Sequence, residues 1–357
     1  MNRRLALLIA LGLMIFTEHA SAQLVQGRAF VMRRDLERMN VCLHGQVLDF
    51  TKNHGHDRRI YSRALCEKRD MYVYVPPGFD PVNKKYPLAI FLHGASQDEQ
   101  FFLTTIAKEF DRAIVDGRLP PFIVAAPDGS MMGRPSIFRI ATFYANSDAG
   151  RYEDYLMEDV WNFLMETFPI HPEREAHALV GTSMGGSCAF AQAIKHKDRI
   201  KIAIGVMPAL NLRWVDCHGN YNAPFDPTCW GWREKRRPLE VIGRPKGVRI
   251  TFHRLAGPLI AHGPDAMEKI SQFNPIEMME PYGLKPGELD LYIAYGGKDE
   301  FNIMAQVESF LYVARERKID VTVAYDPNGR HDVPSGLRMI PGAIDWVSPL
   351  LARYREK

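Results

Sequence analysis

Residues 181–186 read Gly-Thr-Ser-Met-Gly-Gly, which puts a glycine two positions to either side of Ser183. That spacing suits a nucleophile carried on a tight strand-to-helix turn. Glycines there keep Cβ atoms out of the crowded backbone, so the serine Oγ projects into a site. By composition alone the Gly-x-Ser-x-Gly pattern arises in about one chain in ten of this length, so it needs partners. A serine hydroxyl is a poor nucleophile until a base takes its proton. Two later segments offer a base and a carboxylate. Gly296-Gly-Lys-Asp-Glu-Phe301 contains Asp299, and Asn328-Gly-Arg-His-Asp332 contains His331. Where the nucleophile sits on such a turn, the chain order is Ser, then acid, then His. His331 is therefore expected as general base and then acid, with Asp299 orienting its ring and stabilising the imidazolium. Glu300 and Asp332 adjoin these two and are rival carboxylates. His196, His253 and His262 are rival bases outside the expected late loop.

A tetrahedral intermediate on Ser183 needs N–H donors aimed at its oxyanion. The residue after the nucleophile, Met184, supplies one. The loop His93-Gly94-Ala95-Ser96, after an early strand, supplies the second. Ala95 N–H is the first choice and Gly94 N–H the alternative. His54-Gly-His56-Asp57 has metal-ligand residue types, but no further ligand cluster accompanies it, so it reads as a polar hairpin tip. No metal is expected. Trp214, Trp230 and Trp232 either stack on a sugar or aromatic acyl group or pack locally, and the sequence does not choose.

The elements that must hold these residues alternate strand-like with helix-like runs, the pattern of a mostly parallel sheet with helices on both faces. Strands are expected at Met71–Val75, Tyr86–Leu92, Pro121–Ala126, Ala176–Val180, Lys201–Met207, Leu289–Tyr295 and Val321–Tyr325. Helices are expected at Tyr152–Phe168, Ser187–Lys195, Asn302–Arg317 and Ala343–Tyr354. The stripe Tyr155, Leu156, Val160, Phe163, Leu164 and Phe168 recurs at steps of one, three and four, as on one face of a helix. From about 209 to 274 the pattern breaks into a Trp-, Pro- and Gly-rich insertion, expected over the strand ends. Ser183, Asp299 and His331 each follow a strand's C-terminal end, where ligand sites form in such sheets.

The chain has 357 residues and a formal net charge of +3. That balance gives no electrostatic footprint for nucleic acid. Arg3 and Arg4, an apolar run Leu5–Phe16 and Ala20-Ser21-Ala22 form the three regions of a secretory signal peptide over residues 1–22. Its removal takes Arg3, Arg4 and Glu18 and leaves a net charge of +2. A single catalytic domain over 23–357 is expected, in the periplasm or outside the cell, with no membrane span after the signal. Export permits disulfides. Of five cysteines, Cys42 with Cys66 and Cys217 with Cys229 are expected to pair, leaving Cys188 as a buried thiol.

The chain resembles the esterase D-like family, which includes feruloyl and acetylxylan esterases, S-formylglutathione hydrolases and mycobacterial mycolyltransferases. The carriers are Arg69-Asp-Met-Tyr-Val-Tyr-Val-Pro-Pro-Gly78, Tyr86-Pro87 leading to His93-Gly94, Tyr152-Glu-Asp-Tyr155, Gly181–Gly186, Gly297-Lys-Asp299 and His331-Asp332. The resemblance implies the α/β-hydrolase fold, the triad Ser183, Asp299 and His331, oxyanion donors at Ala95 and Met184, and no cofactor. The long insertion departs from simple members, so the substrate stays open. Hydrolysis of a carboxylic ester, of cell-wall or aryl type, is the leading reading, on a small-molecule or polysaccharide-linked ester. An acyltransferase using the same acyl-enzyme and a non-catalytic binding protein on this fold are the alternatives. A peptidase would need a propeller-sized N-terminal region. Oligomeric state is not legible.

Overall fold

Met71–Val75 reads Met-Tyr-Val-Tyr-Val, a run of β-formers stopped by Pro76-Pro77-Gly78, and it forms an interior strand of an eight-stranded sheet. The computed structural model describes residues 35–136, 139–235, 237–260 and 265–355. The sheet strands are β1 (Gln46–Phe50), β2 (Met71–Val75), β3 (Leu88–Leu92), β4 (Ile123–Pro127), β5 (His177–Thr182), β6 (Ile202–Val206), β7 (Asp290–Gly296) and β8 (Thr322–Asp326). Their spatial order is β1-β2-β4-β3-β5-β6-β7-β8. β2 runs antiparallel to both β1 and β4, and the pairs from β4 to β8 are parallel. β2 to β6 are apolar almost throughout because both sheet faces are covered.

The helices that matter here are α1 (Ala107–Val115), α2 (Trp161–Thr167), α3 (Met184–Lys195), α4 (Ile303–Glu316) and α5 (Val333–Leu350). Side chains alternate across each strand. Leu88, Ile90 and Leu92 join the core shared with α2, α3 and α4. Ala89 and Phe91 join the one shared with α1 and α5. This is the α/β-hydrolase fold, as expected. No helix among the described residues is long and apolar enough to cross a membrane.

Several expectations need adjustment. The helix over 152–168 forms, but Tyr155–Val160 is a wide π-type stretch leading into α2. α5 starts ten residues before the expected Ala343. Pro334, Gly336, Pro341 and Gly342 conceal it in the sequence. Pro334 sits in the first turn, where its missing N–H costs nothing, and Asp332 caps the helix by accepting from Ser335 N–H at 2.9 Å. The amphipathic helix α1 and strand β1 were not expected. The chain between Cys42 and Cys66 does not fold back on itself as one hairpin. Gln46–Phe50 pairs with β2 instead, and Cys66 sits at the turn of a separate hairpin, Ile60–Ser62 with Glu67–Arg69. Cys42 and Cys66 are consequently free and exposed, and their expected bond is corrected. Cys217 and Cys229 are bonded, with Cα atoms 4.8 Å apart, and Cys188 is buried. The expected signal segment, residues 1–22, lies outside the described residues.

Candidate active site

The turn between β5 and α3 carries Ser183 at φ +52°, a left-handed conformation that costs a non-glycine residue energy. It is held there by its neighbours. Ser183 N–H donates to Val206 O at 2.9 Å and Ser183 O accepts from Ser187 N–H at 3.0 Å. The flanking glycines are needed for space. A Cβ on Gly181 would lie 2.2 Å from the Gly185 carbonyl carbon, and one on Gly185 would lie 2.0 Å from Leu92 O. Backbone therefore passes within contact of backbone on both sides of the serine.

β7 ends at Gly296 and hands the chain to Asp299. β8 ends at Asp326 and its loop hands on His331, just before the Asp332 cap of α5. The two loops meet over Ser183. His331 Nδ1 lies 2.6 Å from Asp299 Oδ2, and His331 Nε2 lies 2.9 Å from Ser183 Oγ. Asp299 is 1% exposed at its side chain and His331 14%. Asp299 Oδ1 accepts from Phe301 N–H at 2.8 Å, which fixes the carboxylate plane, and the Phe301 ring lies 4.7 Å from the imidazole. Burial alone would lower the His331 pKa. The Asp299 carboxylate, with Glu300 and Asp332 behind it, outweighs burial and raises it above the usual 6.5.

The rival residues have other work. Glu300 Oε2 accepts the backbone N–H of His331 at 2.9 Å, and its other oxygen pairs with Arg330. Asp332 caps α5. His196 ends α3 beside Glu153. His253 lies in a short helix, Phe252–Ala256, and His262 is outside the described residues.

The loop after β3 is fixed by His93. Gly129 N–H donates to His93 Nε2 at 2.9 Å, so Nδ1 carries the proton and donates to Gly94 O, also at 2.9 Å. Gly94 N–H donates to Gln97 Oε1 at 2.8 Å, which removes it as an oxyanion donor. Ser96 N–H is likewise committed, to Ile140 O at 2.7 Å. Behind this loop lies a charged cluster that sequence reading missed. Arg69 is 2% exposed; its guanidinium forms an ion pair with Asp128 Oδ2 at 2.9 Å and donates to Asp128 O at 3.0 Å. The rings of Tyr152 and Tyr155 lie 5.6 and 5.8 Å from it. Burial pushes Asp70 up to about 6, and burial beside Asp128, Asp98 and Asp70 pushes Glu99 well above the carboxylate range.

Ser183 and His331 open into a cavity of about 390 Å³ with a predominantly apolar lining. Its upper arm is formed by the segment between β6 and β7, through side chains such as Leu212, Tyr221, Ile250, Phe252 and Phe273. The tryptophans do not line it. Trp214 is fully buried, its Nε1–H donating to Tyr221 O at 3.0 Å. Trp230 and Trp232 stack edge to face at 5.2 Å in the strand paired with Trp214–Asp216. They pack the segment together. The polar tip at 54–57 is also structural. His54 is buried against the Tyr72 hydroxyl at 2.7 Å, and Asp57 pairs with Arg59 and Lys68. Among the described residues, Cys217, His218 and Cys229 alone group as potential metal donors, and the two sulfurs are bonded to each other.

A family described as "Putative esterase" matches residues 62–339, most of the chain. Among solved structures, a ferulic acid esterase is similar with TM-score 0.63 and 15% identity, over 87% of this chain and 99% of that one. An S-formylglutathione hydrolase from Agrobacterium tumefaciens follows with TM-score 0.59 and 16% identity, over 87% and 96%. A fluorophosphonate-binding serine hydrolase from Staphylococcus aureus has TM-score 0.56 and 17% identity, over 85% and 98%. The β5 turn, the sheet order and the family match agree: the chain belongs to this esterase family and is a serine carboxylic ester hydrolase of the α/β-hydrolase fold.

Proposed function

We propose that Ser183, His331 and Asp299 are the catalytic triad of an exported esterase that cleaves esters with apolar groups. The observation that carries this is the continuous hydrogen-bond line from Ser183 Oγ through His331 to the buried Asp299 carboxylate. In this reading His331 Nε2 takes the Ser183 proton as Oγ attacks the ester carbonyl. The tetrahedral oxyanion is held by the N–H groups of Met184 and Ala95, neither of which has another acceptor among the described residues. His331 then gives the proton to the departing alkoxide, leaving an acyl group on Ser183. Water, deprotonated by the same imidazole, releases the acid and restores the serine. Asp299 accepts from the ring and holds it in the Nδ1–H tautomer.

Export is supported by the N-terminal signal pattern and by the Cys217–Cys229 bond, which suits an oxidising compartment. Feruloyl- or acetyl-type esters of cell-wall material are the first substrates to try, since ferulic acid esterases are among the similar structures. The test is turnover of p-nitrophenyl acetate by Ser183→Ala, together with fluorophosphonate labelling. Activity should fall by at least about a thousandfold and labelling should disappear. A variant that keeps its rate rejects the triad.

A further inference from the structure

The cavity does not stop at the triad. A second arm leaves Ser183 and runs along the face of the sheet covered by α1 and α5. Its floor is Val180 and Ala178 on β5, flanked by Phe91 and Ala89 on β3 and Val206 and Ile204 on β6. One wall is a single face of α5 continued by Leu351 at its C-terminal end. Val333, Leu337, Ile340, Ile344, Val347 and Leu351 recur at steps of three and four. The opposite wall is Phe101, Ile106 and Phe110. From Ser183 to Ala178 the floor extends about 16 Å at the rise of a parallel strand.

This arm is not ordinary core. Protein interiors leave few voids larger than water. Here small residues, Ala89, Ala178, Gly336 and Ala343, stand where α5 and the sheet face each other, and the space between stays open. Val180, Phe101, Phe110, Leu337 and Ile340 are only half-buried despite sitting between two covering helices and the sheet. Near the far end α1 and α5 are tied together. Arg118, just beyond α1, donates to Asp345 Oδ1 at 2.6 Å and Pro341 O at 2.9 Å, and Ser348 Oγ–H donates to Arg118 O. These bonds tie the end of α1 to α5.

We infer that this arm is an acyl slot, and that the substrate acid is a linear alkanoyl chain of medium to long length. The inference rests on the ester-hydrolase reading above and narrows its substrate class. An apolar space that runs along the sheet from the nucleophile fits a flexible hydrocarbon, whereas an aryl ring would leave the end at Leu119, Phe122 and Leu351 uncovered. The acyl part belongs there because the alcohol must leave before water can enter for deacylation. An arm enclosed between the sheet, α1 and α5 holds the group that stays on Ser183, and the upper arm releases the one that goes.

The test is a p-nitrophenyl ester series from acetate through butyrate and octanoate to laurate, with octyl acetate alongside, on the full protein. Each buried methylene is worth about fourfold in binding, so kcat/KM should rise at least tenfold from butyrate to octanoate. Ala343→Phe narrows the arm away from the triad and should lower the octanoate-to-acetate ratio at least fivefold. Labelling of the unaltered protein by alkyl fluorophosphonates should quicken with chain length, a readout that needs no variant. A flat or falling series, with acetate turnover still dependent on Ser183, overturns the slot and leaves the esterase reading intact. A gain from octyl acetate in place of octanoate assigns the arm to the alcohol and also overturns it. Acetate turnover independent of Ser183 removes the reading beneath it.

Discussion

The backbone N–H of His331 donates to Glu300 Oε2 at 2.9 Å, while the imidazole of the same residue donates to Asp299 Oδ2 at 2.6 Å. Consecutive carboxylates on the β7 loop thus hold one histidine by its main chain and by its ring. Their roles differ because only Asp299 is in line with Nδ1. Glu300 also pairs with Arg330, the residue before the histidine. Glu300 is therefore a positioning residue for the β8 loop.

Glu300→Ala should lower kcat by roughly tenfold with little change in KM, since misplacement of a reacting group by a fraction of an ångström acts on the chemical step. Glu300→Gln keeps an acceptor for His331 N–H and should recover most of the loss. Steady-state kinetics on both variants decides it. Equal losses in the two would mean that charge, and not the backbone clamp, matters. Asp299→Asn should be far worse than either, because it removes the partner that fixes the tautomer.

The raised pKa of His331 sets a pH profile. Activity needs the neutral imidazole, so kcat/KM should rise with pH through a single ionisation above 6.5. Stability has the opposite dependence. A histidine whose folded pKa exceeds its unfolded value contributes stability that is full below the unfolded value. That contribution is lost as pH rises through the folded one. A pH–rate profile, with histidine titration followed by NMR, checks the first. In Asp299→Asn the limb should move to lower pH.

Arg69 is buried with Asp128 behind the oxyanion loop. Arg69→Met removes the cation and leaves Asp128 uncompensated, which should cost about 3 to 5 kcal/mol in chemical denaturation. Removing both charges, in Arg69→Met with Asp128→Asn, should cost less than the two single changes together. Additive costs in this double-mutant cycle would deny the coupling.

The Cys217–Cys229 bond closes a short loop in the segment that carries Trp214 and Tyr221. The Tyr221 hydroxyl donates to the carbonyl of Phe301, whose ring packs against His331, and accepts from Gln306 Nε2 at 3.0 Å. Replacing both cysteines by alanine should cost about 2 to 3 kcal/mol. It should also raise KM, because Tyr221 lines the cavity. Unfolding curves and kinetics of the double variant measure both. An unchanged KM would show that the segment keeps its shape without the bond.

The sequence by itself determined the local chemistry of this protein. Glycines at 181 and 185, apolar runs that end at turns, and the order of Ser183, Asp299 and His331 are all set by near neighbours along the chain. Such signals depend on φ/ψ limits and strand periodicity, which act over a few residues. What the sequence concealed was decided by contacts between distant segments. α5 forms through Pro334 and Pro341 because its apolar face is needed against the sheet. Cys42 and Cys66 stay apart because β1 pairs with β2 and Cys66 turns a different hairpin. Gly94 loses its N–H to Gln97, Glu300 turns from rival acid into clamp, and the three tryptophans pack away from the cavity. The cavity itself is a space between β3, β5, β6, α1, α5 and the segment that joins β6 to β7. A space has no residue of its own, so only the tertiary structure could place it.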